Sequence, residues 1–157
     1  MRMARWSRRR RSARERVAVG TRSVETVRMA RLADIVFDCA RPAALARFWA
    51  VALDDYEVAP YDDDELERLR SIGIEDVEDD PTVLVHSSPD RPRLWFQQVP
   101  EPKRVKNRVH LDLRADDVDA ELTRLTSLGA TVLDDQPVAD LIVMRDPEGN
   151  EFCLLRS

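Results

Sequence analysis

The chain is short of the residue types on which many catalytic and secreted modules depend. In 157 residues it has two cysteines, two histidines and four glycines. Each scarcity excludes something. Cys39 and Cys153 are too far apart in sequence to match any zinc-binding spacing. No secretory segment suggests an oxidising compartment, so they read as reduced, buried thiols of a cytoplasmic protein. The glycines stand scattered at 20, 73, 129 and 149, so no glycine-rich loop is available to cradle a phosphate. No serine or cysteine occupies a strand-to-helix turn of the kind that presents a nucleophile. Apolar runs also stay well below the roughly 20 residues that a membrane-crossing helix needs. The expectation is a soluble chain with no membrane partner.

Charge is present in quantity but unevenly divided. Of 25 Lys+Arg and 30 Asp+Glu, residues 1–31 hold 11 and 2, which leaves 14 and 28 for residues 32–157. An acidic domain therefore carries a basic tail. Clustered arginines attract phosphates, but the tail shows no apolar periodicity, and Met29 falls just before the first convincing strand. Residues 1–28 are accordingly expected to be a disordered, dispensable Arg-rich extension, not an arm for nucleic acid.

From residue 32 a regular order begins. "RLADIVFDCA" reads as a strand, and "RPAALARFWAVAL" as a helix with Pro42 in its first turn and Leu45, Phe48, Trp49 and Ala52 on one face. A short strand "DYEVAP", a polar helix "DDDELERLRSIG" and the strands "TVLVHSS" and "RLWFQQV" follow. The second half repeats this plan. "NRVHLDL" is a strand and "DDVDAELTRLTSLG" a helix, capped by Asp116 or Asp117 and ended by Gly129. "ATVLDD", "VADLIVMR" and "EFCLLRS" then close the half. The fold class expected is α+β: two paired βαβββ modules, 32–100 and 106–157, forming a curved mixed sheet around a cleft. Strand alternation places His110, Asp112 and Arg114 on the cleft face and Val109, Leu111 and Leu113 beneath the helix.

The combination of "FDCARPAALARFWAVAL", "RLWFQQVPEPKRVKNRVHLDL", "LTSLGA" and "DPEGNEFCLL" resembles the glyoxalase/bleomycin-resistance/extradiol dioxygenase superfamily, the vicinal oxygen chelate proteins. It is most similar to their compact glyoxalase-like domain group, with the domain spanning 29–157. The resemblance implies paired βαβββ modules, often in homodimers, and a small-molecule ligand in the cleft. Metal-dependent members take His or Glu ligands from the first and last strand of each module. Carried over to this chain, those positions give His110, Gln97 and Cys153, with Asp34 or Val36 for the remaining strand according to register. Only His110 matches in type, so the expectation is no resident metal, with a divalent ion as the alternative.

His110 is the candidate catalytic residue, as a base oriented by Asp112 or Glu151; the alternative is a hydrogen-bonded residue of the cleft wall. Asp38, Gln97, Asp112, Glu151 and Cys153 are the candidate substrate-binding residues. Trp49 is assigned to the core, Trp95 to the cleft or a dimer surface, and His86 to a strand without a site role. The function expected is binding of a small organic molecule, with lyase or isomerase-type proton transfer as its chemistry. The alternative is a binding protein that sequesters a drug or metabolite, as bleomycin-resistance relatives do.

Overall fold

The computed structural model describes residues 31–136 and 141–155. The extension assigned to residues 1–28 lies outside them, as do the first residues of the strand expected from 138.

Each half builds one four-stranded mixed sheet. In module one, β1 (Asp34–Cys39) runs parallel to β4 (Arg93–Gln98), which pairs antiparallel with β3 (Thr82–His86), and β3 pairs with β2 (Glu57–Val58). In module two, β5 (Asp112–Arg114), β8 (Glu151–Leu155), β7 (Leu141–Arg145) and β6 (Thr131–Val132) repeat that order and those directions. Helix α1 (Pro42–Ala52) follows β1, α2 (Asp63–Ser71) follows β2, and α3 (Val118–Ser127) follows β5. The α+β paired-module expectation holds, with three helices among the described residues.

Local chemistry explains the helix limits. Pro42 opens α1 where a missing N–H costs nothing. Asp62 and Asp117 cap α2 and α3 by accepting from the amides of Glu65 and Ala120 at 2.9 and 3.0 Å. Gly129 follows α3 at φ +107°, a conformation that strains any residue with a Cβ, and its amide reaches back to the Thr126 carbonyl.

The core lies between the helix-facing sides of both sheets. Phe37, Val85, Leu94 and Phe96 from module one and Met144, Phe152 and Leu154 from module two meet around α1. Trp49 is its centre, 1% exposed, with its ring 5.5 Å from Phe37 and 5.3 Å from Phe152. Aromatic pairs at these separations add to plain area burial. The indole N–H donates to Asp146 Oδ2 at 3.2 Å. Glu148, two residues on, accepts from the amides of Ala40 and Arg41, each at 2.7 Å. From α3, Arg124 donates to the carbonyls of Val51 and Ala52 at the end of α1. The modules are thus joined by an aromatic core and by a turn whose carboxylates satisfy orphan donors of α1 and its approach.

One expectation fails. The strand read over 107–113 is regular only from Asp112, because residues before it leave the ladder with β8 and are held by isolated bonds: Asn107 N–H to Glu151 and Cys153 N–H to the Leu111 carbonyl. Alternation therefore does not extend to Val109, which is 75% exposed and not beneath the helix. Leu111 and Leu113 do pack against the core as expected.

Candidate functional site

The face of sheet two turned away from the core carries His110, Asp112 and Arg114 from β5 and its approach, and Glu151, Cys153 and Leu155 from β8. Asp112 stands directly across the ladder from Cys153, and that pairing brings three donors together. His110 Nδ1 lies 2.9 Å from Asp112 Oδ1 and 3.7 Å from Cys153 Sγ. The imidazole is 40% exposed, whereas the thiol is buried. Burial raises the Cys153 pKa, and the neighbouring Asp112 carboxylate pushes it further in the same direction, against a smaller lowering by Lys106. The sulfur is therefore a protonated thiol at neutral pH and a poor nucleophile.

The geometry is not that of a cysteine nucleophile relay, which would place carboxylate and sulfur on different ring nitrogens. Here both approach Nδ1. Among the described residues the ring's polar contacts all involve Nδ1, so Nε2 is the nitrogen left for a ligand, and in the Nδ1–H tautomer it is an acceptor. The same three side chains offer one nitrogen, one oxygen and one sulfur within 4.8 Å of one another. Such a mixed set with a thiolate suits zinc better than a hard ion that prefers oxygen ligands. Closing it around an ion would require Cys153 to lose its proton.

A depression of about 590 Å³ lies between the modules. Module two contributes Asp112–Ala115, Glu121 and Arg124; the end of α1, Tyr56 and Arg91 form the module-one wall. Asp112 thus belongs to both the cluster and the cleft.

The other sequence candidates lie elsewhere or are engaged. Asp38 and Gln97 face each other across β1 and β4 on the outer face of sheet one, and neither lines the inter-module depression. Glu151 is 9% exposed and accepts from Lys103 Nζ and the Asn107 amide, both at 3.0 Å. Burial alone would raise its pKa, but these bonds outweigh it and hold the carboxyl down at about 2. Cys39, buried on the core side, has its thiol pushed up to about 12 by desolvation and then by nearby Glu148, Asp146 and Asp38. Trp95 is partly exposed on the outer face of sheet one beneath the Arg93 guanidinium, 5.9 Å from its ring centre.

Two polar networks were not foreseen. Asp146 and Glu148 belong to the turn "DPEGN" between β7 and β8, yet they fasten module two to α1 and its approach. Buried Asp80 accepts from Tyr61, Arg68 and the Thr82 amide and so ties the acidic helix α2 to β3. The signal available in sequence was an acidic residue flanking a tight turn or a strand start, which says that a carboxylate is useful locally but not which distant donor it meets.

A family profile described as "Glyoxalase-like domain" matches residues 34–155. Among solved structures, the chain is similar to a glyoxalase/bleomycin resistance protein/dioxygenase family enzyme from Burkholderia phytofirmans PsJN, at 15% identity and TM-score 0.55 over 81% of this chain and 98% of that one. It is also similar to the fosfomycin resistance protein FosX from Mesorhizobium loti, at 16% identity and TM-score 0.55 over 83% and 94% of the two chains. A mutant FosX from Listeria monocytogenes, complexed with Mn(II) and 1S,2S-dihydroxypropylphosphonic acid, aligns at 10% identity and TM-score 0.54 over 82% and 90%. Likeness at such identities is one of fold. No curated protein matches the chain.

Proposed function

The chain belongs to the glyoxalase-like domain family, and from that premise we propose that it binds a small organic molecule in the cleft between its modules, with His110 as the base in a lyase or isomerase-type proton transfer. The observation that carries this reading is the His110–Asp112 pair at 2.9 Å, with Asp112 also on the cleft wall. Asp112 accepts the Nδ1 proton and fixes the tautomer. Nε2 can then take a proton from a bound C–H or O–H group, and the resulting imidazolium is stabilised by the adjacent carboxylate. Returning that proton to a different atom completes an isomerisation; expelling a leaving group completes an elimination. Arg114, on the same face and lining the cleft, offers a cation to negative charge that develops on the ligand.

The Mn(II) in the FosX complex raises the question of an ion. His110, Asp112 and Cys153 would hold one here, and it would supply Lewis acidity to a ligand oxygen. Our reading remains a protein without a resident metal, because the family's other ligand positions hold Gln97 and Cys153 in place of His or Glu. The reading also includes a cytoplasmic homodimer. Support for the dimer comes from the outer face of sheet one, where Val36, Trp95 and Leu84 stand in register and Val36 is 51% exposed. Asp38 and Gln97 lie on that same face.

A second reading, sequestration without chemistry, is favoured by one observation: the corresponding pair of module one is Asp38 and Gln97, which supplies neither a second histidine nor a glutamate. The experiment that separates the two is thermal-shift screening of small organic molecules, followed by NMR of each hit in deuterated water. Proton transfer predicts solvent deuterium in the hit or its conversion to an isomerised or eliminated product, either lost at least tenfold in His110→Ala, while that variant loses at most about 1–2 kcal/mol of stability. Binding by the wild type with neither deuterium incorporation nor product formation would favour sequestration instead. Incorporation unchanged by His110→Ala would remove His110 from the mechanism.

A further inference from the structure

Carboxylates outnumber basic side chains 28 to 14 over residues 32–157, yet one pocket reverses that balance. At the end of module two a depression of about 560 Å³ gathers Lys103, Arg104, Lys106 and Arg145 against only Glu148 and Glu151. Both carboxylates are already engaged. Glu148 accepts from the amides of Ala40 and Arg41, and Glu151 accepts from the Asn107 amide and Lys103. Among the described residues no carboxylate pairs with Arg104, Lys106 or Arg145. The lining thus sets four cations against two carboxylates, one of them held by Lys103, and this net positive concave surface has a local potential that draws anions into an otherwise acidic domain.

The pocket adjoins the histidine cluster. Arg145 faces Glu151 across the β7–β8 ladder, and Val143 faces Cys153 two residues further on. Residues two apart in a strand point to the same face and are about 7 Å apart. Lys106 is near enough that its charge acts on the Cys153 thiol. The cluster therefore lies between this pocket and the inter-module cleft, which begins at Asp112.

We propose that Arg104, Lys106 and Arg145 form an oxyanion subsite that receives the carboxylate or phosphate group of a small molecule whose other end reaches His110, Asp112 and Cys153. The two guanidiniums supply forked donors matched to planar or tetrahedral oxyanions, and the lysine supplies a point charge. That the same molecule extends to the cluster rests on the function proposed above; that the pocket takes an oxyanion does not.

The two parts are tested separately. Inorganic phosphate, acetate and a short single-stranded oligonucleotide are titrated into the full-length protein and followed by amide NMR, with Lys106→Gln/Arg145→Gln and His110→Ala alongside. All three substituted side chains are exposed, so folded variants are expected, and their spectra verify it. The expected result is millimolar phosphate or acetate binding that shifts amides of residues 103–106 and 145–151. It weakens at least tenfold in the double variant and changes less than twofold in His110→Ala. Stronger phosphate binding assigns a phosphate ligand and stronger acetate binding a carboxylate. No shift with either anion, an unchanged affinity in the double variant, or oligonucleotide binding in preference to both would overturn the subsite. If anions bind as described while no screened molecule shows His110-dependent chemistry, the subsite stands and the catalytic reading falls.

Discussion

The two modules share one backbone plan but divide its uses. In module one the first strand has six residues and its helix buries seven, with Trp49 at the centre of the joint core. In module two the first strand has three residues and its helix buries only Leu125. The parallel pairs correspond: Asp38 faces Gln97 in β1–β4 as Asp112 faces Cys153 in β5–β8. Counting two residues back puts Val36 where module two has His110. The repeated topology makes equivalent positions, and side-chain chemistry then makes one module a packing platform and the other a candidate site. Short, irregular structure around β5 is consistent with that division, since site residues commonly sit on segments positioned by a rigid scaffold.

Removing the platform should have the largest effect. Trp49→Ala deletes the ring that meets Phe37, Phe48 and Phe152 and leaves Asp146 without its indole donor. The expected loss is about 3–5 kcal/mol, the scale for emptying a buried aromatic site, read from urea unfolding. Because the core is shared, both modules should unfold in one transition. Two separated transitions, with module two retained, would show that the halves are independent.

Much of this division was readable in the residues. Helical spacing of Leu45, Phe48, Trp49 and Ala52, Pro42 at a helix start and Gly129 after a helix end each have a local physical cause, so they hold in the fold. His110 stands out both by its place in the run "NRVHLDL" and by the resemblance, and it does lie beside Asp112. What was not legible depends on distant partners. Nothing local says that Glu148 meets the amides of Ala40 and Arg41, that Glu151 belongs to Lys103 and Asn107, or that Cys153 lies 3.7 Å from His110. Alternation itself failed at Val109, because it is a property of a hydrogen-bonded ladder and the ladder begins at Asp112.

A smaller effect sharpens the contrast through pH. The Glu151 carboxyl lies at about 2 in the folded protein against an ordinary 4.5. The unfolded chain therefore takes up this proton first as pH falls. The stabilisation is complete above about pH 4.5 and disappears progressively toward pH 2. Glu151→Gln should cost about 1–3 kcal/mol at pH 7, the range for a hydrogen-bonded buried charge, and little at pH 2. Asp146 acts in the opposite sense, since burial raises its carboxyl pKa despite bonds from Asn150, Trp49 and Glu148. Comparing urea midpoints of wild type and Glu151→Gln across pH isolates the Glu151 contribution from that opposing one. A difference that does not shrink on acidification would mean that the side chain stabilises by packing and not by charge.

The smallest effect examines where the regular part of module two begins. Val109 is exposed and precedes the ladder, while Leu111, two residues on, packs against the shared core. Val109→Asp should therefore stay within about 0.5 kcal/mol of wild type, as surface substitutions away from special features do. Leu111→Asp should be far more costly, because its carboxylate would be taken out of water without a partner. The two positions have the same parity, so an ideal strand from 107 to 113 would make both substitutions severe. Equal and large losses in urea unfolding would restore that longer strand and bring the backbone of His110 into it. The expected inequality instead places His110 on the irregular approach to β5, held by Asp112 and the Leu111–Cys153 backbone bond, where its loss affects the site more than the fold.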